Sequence, residues 1–287
     1  MHNVPAGTSP IGVFDSGYGG LTILHRIRQL MPEYDYLYLG DNARAPYGPR
    51  SFQVVYEFTL QAVRRLFDEG CQLVVLACNT ASAKALRTIQ QRDLPILFPP
   101  EGDDPLPSRR VLGVVRPTAE CIGQLTHTRH IGVMATQGTI RSGTYALEIA
   151  KLHPDIVVTG EACPMWVPLV ENREFDSPGA DYFVRKHIDS LLRRDPQIDA
   201  VILGCTHYPL LLDKILRYTP SNVRIIPQGD YVASSLQDYL LRHTDMDQRI
   251  SRGGQCRFLT TEQPESFNEN AAIFLSHPVE ATRITLA

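Results

Sequence analysis

Two segments of this chain, Val-Val-Leu-Ala-Cys-Asn-Thr (74–80) and Val-Ile-Leu-Gly-Cys-Thr-His (201–207), share one pattern. Each is a short aliphatic run that ends in a cysteine, followed by a polar residue and a helix-like stretch. A run of that length bounded by turn residues reads as a strand buried on both faces, as strands of parallel sheets are. Parallel strands need crossover connections, usually helices, so the pattern points to an α/β fold. In open α/β sheets, ligands meet the side chains at the carboxyl ends of the strands. Cys78 and Cys205 therefore stand at the mouths of two similar units.

The rest of the chain fits that frame. Ile-Gly-Val-Phe (11–14), Asp-Ser-Gly-Tyr-Gly-Gly (15–20) and the helical spacing of 21–30 read as strand, glycine-rich turn and helix. His-Ile-Gly-Val-Met-Ala-Thr-Gln-Gly-Thr-Ile (130–140) echoes this order, a second internal correspondence. The turn lacks Gly-x-Gly-x-x-Gly and Gly-Lys-Ser/Thr, so its glycines suit close backbone approach to a small anion better than a nucleotide. Asp15 at the strand end is either a turn cap or a functional carboxylate. Further strands are expected at 34–40, 111–115, 156–158, 222–227 and 257–260, with helices at 51–69, 181–194 and 265–275. The Pro- and Asp-rich stretch 93–108 reads as a linker. The expectation is two similar α/β domains with central, mostly parallel sheets. Residues 1–108 together with about 226–287 make the first, and about 109–225 the second.

Composition limits what such a fold can do. A net charge of −3 over 287 residues gives no basic surface for nucleic acid. No apolar run approaches a membrane span, and the first ten residues lack a secretory pattern, so a cytoplasmic protein is expected. Six cysteines with no Cys-x-x-Cys pair, and no His-Glu-x-x-His, favour free thiols over disulfides or a metal site.

A thiol has a reference pKa near ~8.5 and is mostly protonated at neutral pH. A helix N-terminus lowers that value, and both cysteines sit where a strand feeds a helix. Two thiols facing one small substrate from opposite sides would remove a proton from carbon and return one to the other face, inverting the stereocentre. Asp15 and His207 are placed to assist Cys78 and Cys205 respectively. One rival is a Cys205–His207 hydrolase dyad, although residues two apart at a strand end do not obviously face each other. A pyridoxal enzyme needs a Schiff-base lysine, and none of Lys84, Lys151, Lys186 and Lys214 lies in these loops. No cofactor is expected. A non-catalytic amino-acid-binding protein is the reading from a different class.

Phe-Asp-Ser-Gly-Tyr-Gly-Gly-Leu (14–21), Gly-Asp-Asn-Ala-Arg-Ala-Pro-Tyr-Gly (40–48), Ala-Cys-Asn-Thr-Ala-Ser-Ala (77–83) and Gly-Cys-Thr-His-Tyr-Pro-Leu-Leu (204–211) resemble the motifs of bacterial glutamate racemases. Segments 135–145 and 162–171 are similar to two further motifs of that family. The resemblance implies a cofactor-independent racemase interconverting L- and D-glutamate for peptidoglycan synthesis, acting as a homodimer with its site between two domains. It implies that Cys78 is the base toward D-glutamate and Cys205 the base toward L-glutamate, assisted by Asp15 and His207. Ser16, Tyr47, Gly48, Asn79, Thr80 and Thr206 would line the substrate site with Asp15 and His207, and Thr136, Thr139 and Glu171 match positions near it. Two stretches depart from the family. Arg-Pro-Thr-Ala-Glu (116–120) stands where Pro-Gly-Ala is frequent, and Ile-Pro-Gln-Gly-Asp-Tyr (226–231) where Asp-Ser-Gly or Asp-Ser-Ala is common. A related two-cysteine enzyme acting on aspartate, hydantoin or maleate is the alternative within the same chemistry.

Overall fold

The computed structural model describes residues 7–99 and 108–286. In chain order its strands are β1 (Ile11–Asp15), β2 (Tyr36–Gly40), β3 (Leu73–Leu76), β4 (Arg110–Gly113), β5 (His130–Ala135), β6 (Val157–Ala162), β7 (Ala200–Gly204), β8 (Arg224–Ile226), β9 (Cys256–Thr260) and β10 (Ala281–Arg283). They form a six-stranded sheet, ordered β10-β9-β2-β1-β3-β4, and a four-stranded sheet, ordered β6-β5-β7-β8. All pairings between these strands are parallel. The order β2-β1-β3-β4 recurs as β6-β5-β7-β8, so the correspondence read from sequence extends to the topology. In both sheets the strand order reverses beside the first strand, β1 or β5, and a cysteine follows the next strand on that side. Those are the switch points where α/β sheets open a crevice.

The central strands β1, β2, β3 and β7 are buried throughout, as their uninterrupted aliphatic runs require. Edge strands β8 and β10 are shorter, with exposed positions. Helix α1 (Gly20–Leu30) buries Leu21, Leu24 and Ile27 on one stripe. Helix α2 (Phe52–Asp68) starts where Ser51 Oγ accepts from Val54 N at 3.3 Å, and Gly70, at φ +97°, lets the chain leave. Helix α3 (Asn79–Lys84) follows β3 with Cys78 as its N-cap.

Two expectations need correction. The stretch 93–108 is not a linker along its length. Ile89–Asp93 forms a π-helical turn and Leu94–Leu97 a helical turn, whereas 100–107 lies outside the described residues. Pro95 falls in the first turn of that helix, where its missing N–H costs no hydrogen bond. The strand at 110–113, placed by sequence at the start of the second unit, pairs with β3 at the edge of the first sheet. The following Val115, expected to extend this strand, opens a helix instead. The chain from 256 onward contributes β9, which pairs with β2, and β10 beyond it. Among the described residues no helix is long and apolar enough to cross a membrane.

Candidate active site

Both cysteines leave a buried strand and end almost fully enclosed, each 6 % exposed. Cys78 Sγ accepts from Ala81 N at 3.5 Å, the hydrogen bond an N-cap makes, and lies 3.3 Å from Ser16 Oγ. The helix N-terminus was expected to lower this thiol. Burial is the larger influence here and, with the nearby Asp15 carboxylate, pushes Cys78 up to about 12 against the hydrogen bonds from Ser16 and Ala81. Asp15 is itself raised, first by burial, while the charge of His207 works in the other direction. Its Oδ2 accepts from Gly17 N at 2.9 Å, and its Oδ1 is buried without a hydrogen-bond partner among the described residues.

Cys205 differs from Cys78. It precedes a 3-10 turn, Tyr208–Leu211, so it does not cap an α-helix as the pattern suggested. Its neighbour is His207, whose Nδ1 lies 3.9 Å from Cys205 Sγ and whose Nε2 lies 3.0 Å from Glu171 Oε1. Burial opposes charge on this imidazole. Its hydrogen bonds to Cys205 and Glu171 outweigh burial and raise it to about 10. Both ring nitrogens then carry protons, one directed at sulfur and one at the carboxylate. The sequence-based objection that residues two apart do not face each other is therefore overturned. The turn after β7 folds the ring back to the thiol.

The two sheets meet at these groups. Thr80, next but one after Cys78, places its hydroxyl 2.9 Å from Thr136 Oγ1 and 3.3 Å from Thr139 Oγ1. Thr136 caps the helix Gln137–Ser142 after β5, accepting from Thr139 N. Thr22 Oγ1 donates to Thr206 O at 3.0 Å. Gly48 lies against Thr136, and a Cβ on it would approach Thr136 Cβ to 3.1 Å. Asn79 is buried, its Oδ1 taking a 2.6 Å hydrogen bond from Tyr145 and its Nδ2 unpartnered. Tyr47 was expected to line the site. Its ring packs on Phe14 and Phe58 and its hydroxyl donates to Asp41, so it braces the 41–50 loop.

Sequence reasoning missed Gly19, Tyr145 and Phe274. A Cβ at Gly19 would sit 2.3 Å from Thr206 Oγ1 and 2.4 Å from His207 Nδ1. At Gly19 the glycine turn therefore serves contact with the second sheet's loop. Phe274, on the helix Pro264–Leu275, meets the His207 ring edge-on at 5.7 Å. No pattern in the sequence marks such contacts, because they depend on how distant elements come together.

Two parallel sheets with matched strand order each end a central strand in a buried thiol beside a titratable side chain. Comparison with known proteins places this arrangement among the amino-acid racemases. The model of the Asp/Glu/hydantoin racemase family matches residues 21–235, and the chain belongs to that family. It is 40% identical over 280 residues to the glutamate racemase of Dinoroseobacter shibae, covering 94% of this chain and 97% of that protein. A crystal structure of a Bacillus anthracis glutamate racemase isoform superposes with TM-score 0.86 at 33% identity, covering 98% of each chain. The Francisella tularensis glutamate racemase, crystallised in complex with D-glutamate, gives TM-score 0.81 at 28% identity over 98% of each chain.

Proposed function

We propose that this protein interconverts L- and D-glutamate by proton transfer between carbon and two thiols. The observation that carries the reading is the pairing of Cys78 with Ser16 and Asp15, and of Cys205 with His207 and Glu171, in loops that touch at Gly19. One sulfur removes the α-proton as the other delivers a proton to the opposite face. Cys205 acts on L-glutamate and Cys78 on D-glutamate. The His207 imidazolium gives Cys205 a proton donor, and Asp15 stands by Cys78 as the corresponding acid/base group.

Electrostatics favour an amino acid as substrate. Among the described residues Asp15 Oδ1 and Asn79 Nδ2 are buried without partners, an acceptor suited to an α-ammonium and a donor suited to a carboxylate. An ammonium entering beside Asp15 would offset the carboxylate that holds the Cys78 thiol up, easing thiolate formation when substrate is bound. Ser16, Thr80, Thr136, Thr139 and Thr206 supply hydroxyls around the same space, with Gly48 as a backbone wall. Both sulfurs are nearly enclosed, so the two halves must part to admit substrate. The described residues up to Gly113 with the segment from about 226 make one domain, and those around the four-stranded sheet the other. A homodimer working in the cytoplasm, where D-glutamate would enter peptidoglycan synthesis, completes the reading.

The test is racemisation of each glutamate enantiomer by optical rotation, with no added metal or pyridoxal phosphate, in wild type and in Cys78→Ser and Cys205→Ser. Wild type should act on both enantiomers and each variant should lose at least ~10³-fold of activity. Full activity in either variant would remove that thiol from the mechanism, and turnover of aspartate instead of glutamate would redirect the substrate assignment.

A further inference from the structure

Behind Asn79 lies a buried chain of hydrogen bonds in which the direction of the tyrosine proton can be assigned. Gln228 Nε2 lies 3.1 Å from Val114 O, 3.0 Å from Thr118 Oγ1 and 2.6 Å from Tyr145 Oη. The Val114 carbonyl is an acceptor only, so the Gln228 atom facing it is the amide nitrogen, which has no lone pair to offer Tyr145. Tyr145 Oη therefore accepts from Gln228, and its own proton goes to the remaining neighbour, Asn79, at 2.6 Å. Burial raises the Tyr145 phenol far above its ordinary value, so that proton stays in place at any working pH. The atom of Asn79 receiving it must be Oδ1. That leaves Nδ2 with both its protons, buried and unpartnered, one residue after Cys78.

The Tyr145 ring also reaches the residue before the second thiol. It lies against Gly204, immediately before Cys205, where a Cβ would come within 3.1 Å of Tyr145 Cε2. One side chain thus touches the residue after the first cysteine and the residue before the second. Gln228, which ties the tyrosine to the Val114 carbonyl where β4 leads into the next helix, lies in the 226–231 stretch where this chain departs from its family.

We infer that Gln228 and Tyr145 are positioning residues that lock the Asn79 amide with its N–H groups turned toward the substrate carboxylate. This rests on the racemase reading above. Removing an α-proton moves charge onto the carboxylate oxygens, so a donor fixed there stabilises the transition state more than the ground state. Without the tyrosine proton the amide is free to turn and present its oxygen instead.

The test is a double-mutant cycle read by kinetics and by α-proton exchange followed by NMR, which stays measurable in slow variants. Tyr145→Phe should lower kcat by about tenfold or more and change KM by less than about threefold, since oxyanion donors themselves are worth about 10²–10³-fold. In an Asn79→Ala background the same substitution should cost less than about twofold. Gln228→Met should act in the same direction, with a smaller further loss once Tyr145 is Phe. Thermal melts of all variants accompany the rates, and Gln228→Met in the two Asn79 backgrounds carries the test if Tyr145→Phe does not fold. Equal losses with and without Asn79 would overturn the inference while leaving the racemase reading intact. Wild type unable to exchange the α-proton of glutamate would overturn both.

Discussion

Cys78 and Cys205 hold equivalent places after β3 and β7, yet their neighbours differ. Cys78 has a hydroxyl, a backbone amide and a carboxylate beside it, and Cys205 an imidazolium backed by Glu171. Burial raises the first thiol and the carboxylate adds to it, so Asp15→Asn should lower the pH midpoint for alkylation of Cys78 by iodoacetamide relative to wild type, read by mass spectrometry. An unchanged or higher midpoint would show that Asp15 does not act on this sulfur. Cys78, Cys205, Asp15 and His207 could be singled out as candidates from the sequence, because a polar residue closing an aliphatic run leaves a local signature. Glu171, Thr136 and Thr139 entered only through resemblance to a family. Tyr145 and Gln228 fell within segments compared with that family but were not singled out, since their hydrogen bonds join residues 66 and 83 positions apart.

Among the elements, the glycine turn between β1 and α1 is one place where the two halves touch. Gly19 has ordinary helical angles, φ −57° and ψ −35°, so space alone forbids a side chain there. Gly19→Ala would press a methyl against Thr206 and His207, displacing the imidazole from Cys205. We expect a loss of more than ~10-fold in kcat/KM with a lowered Tm. Gly179→Ala, where the nearest atom to the new Cβ is Ser177 Oγ at 3.4 Å, should leave activity unchanged and raise stability by about 0.4–1 kcal/mol. Equal behaviour of the two variants in an activity assay and a thermal melt would contradict this reading of the turn. Buried parallel strands were readable as aliphatic runs, and α2 from its Ser51 cap and Gly70 exit. The helical turn at 94–97 was hidden because Pro95 signals a break unless it is known to sit in a first turn. The pairing of 110–113 with β3 was hidden because a four-residue strand carries no record of which sheet it joins.

At the scale of the molecule, two sheets with the same internal strand order each end a central strand in a buried thiol, and the segment from 256 onward adds β9 and β10 to the first. Its helix Pro264–Leu275 seats Phe267 against Tyr18, Tyr38 and Phe258, and places Phe274 beside His207. Phe267 is fully buried, so Phe267→Ala should cost about 3–5 kcal/mol in denaturant unfolding. A cost under ~1 kcal/mol would mean this helix is not integral to the first sheet's packing. The central claim is that two bases act on opposite faces of one carbon. The most direct test is the fate of the α-hydrogen in deuterated buffer at low conversion, each enantiomer being recovered and examined by mass spectrometry. Two-thiol transfer predicts that newly formed product carries deuterium from the first turnovers while unreacted starting enantiomer keeps its protium. Deuterium entering the starting enantiomer as fast as the product, or protium retained in the product, would show a single base and contradict the account.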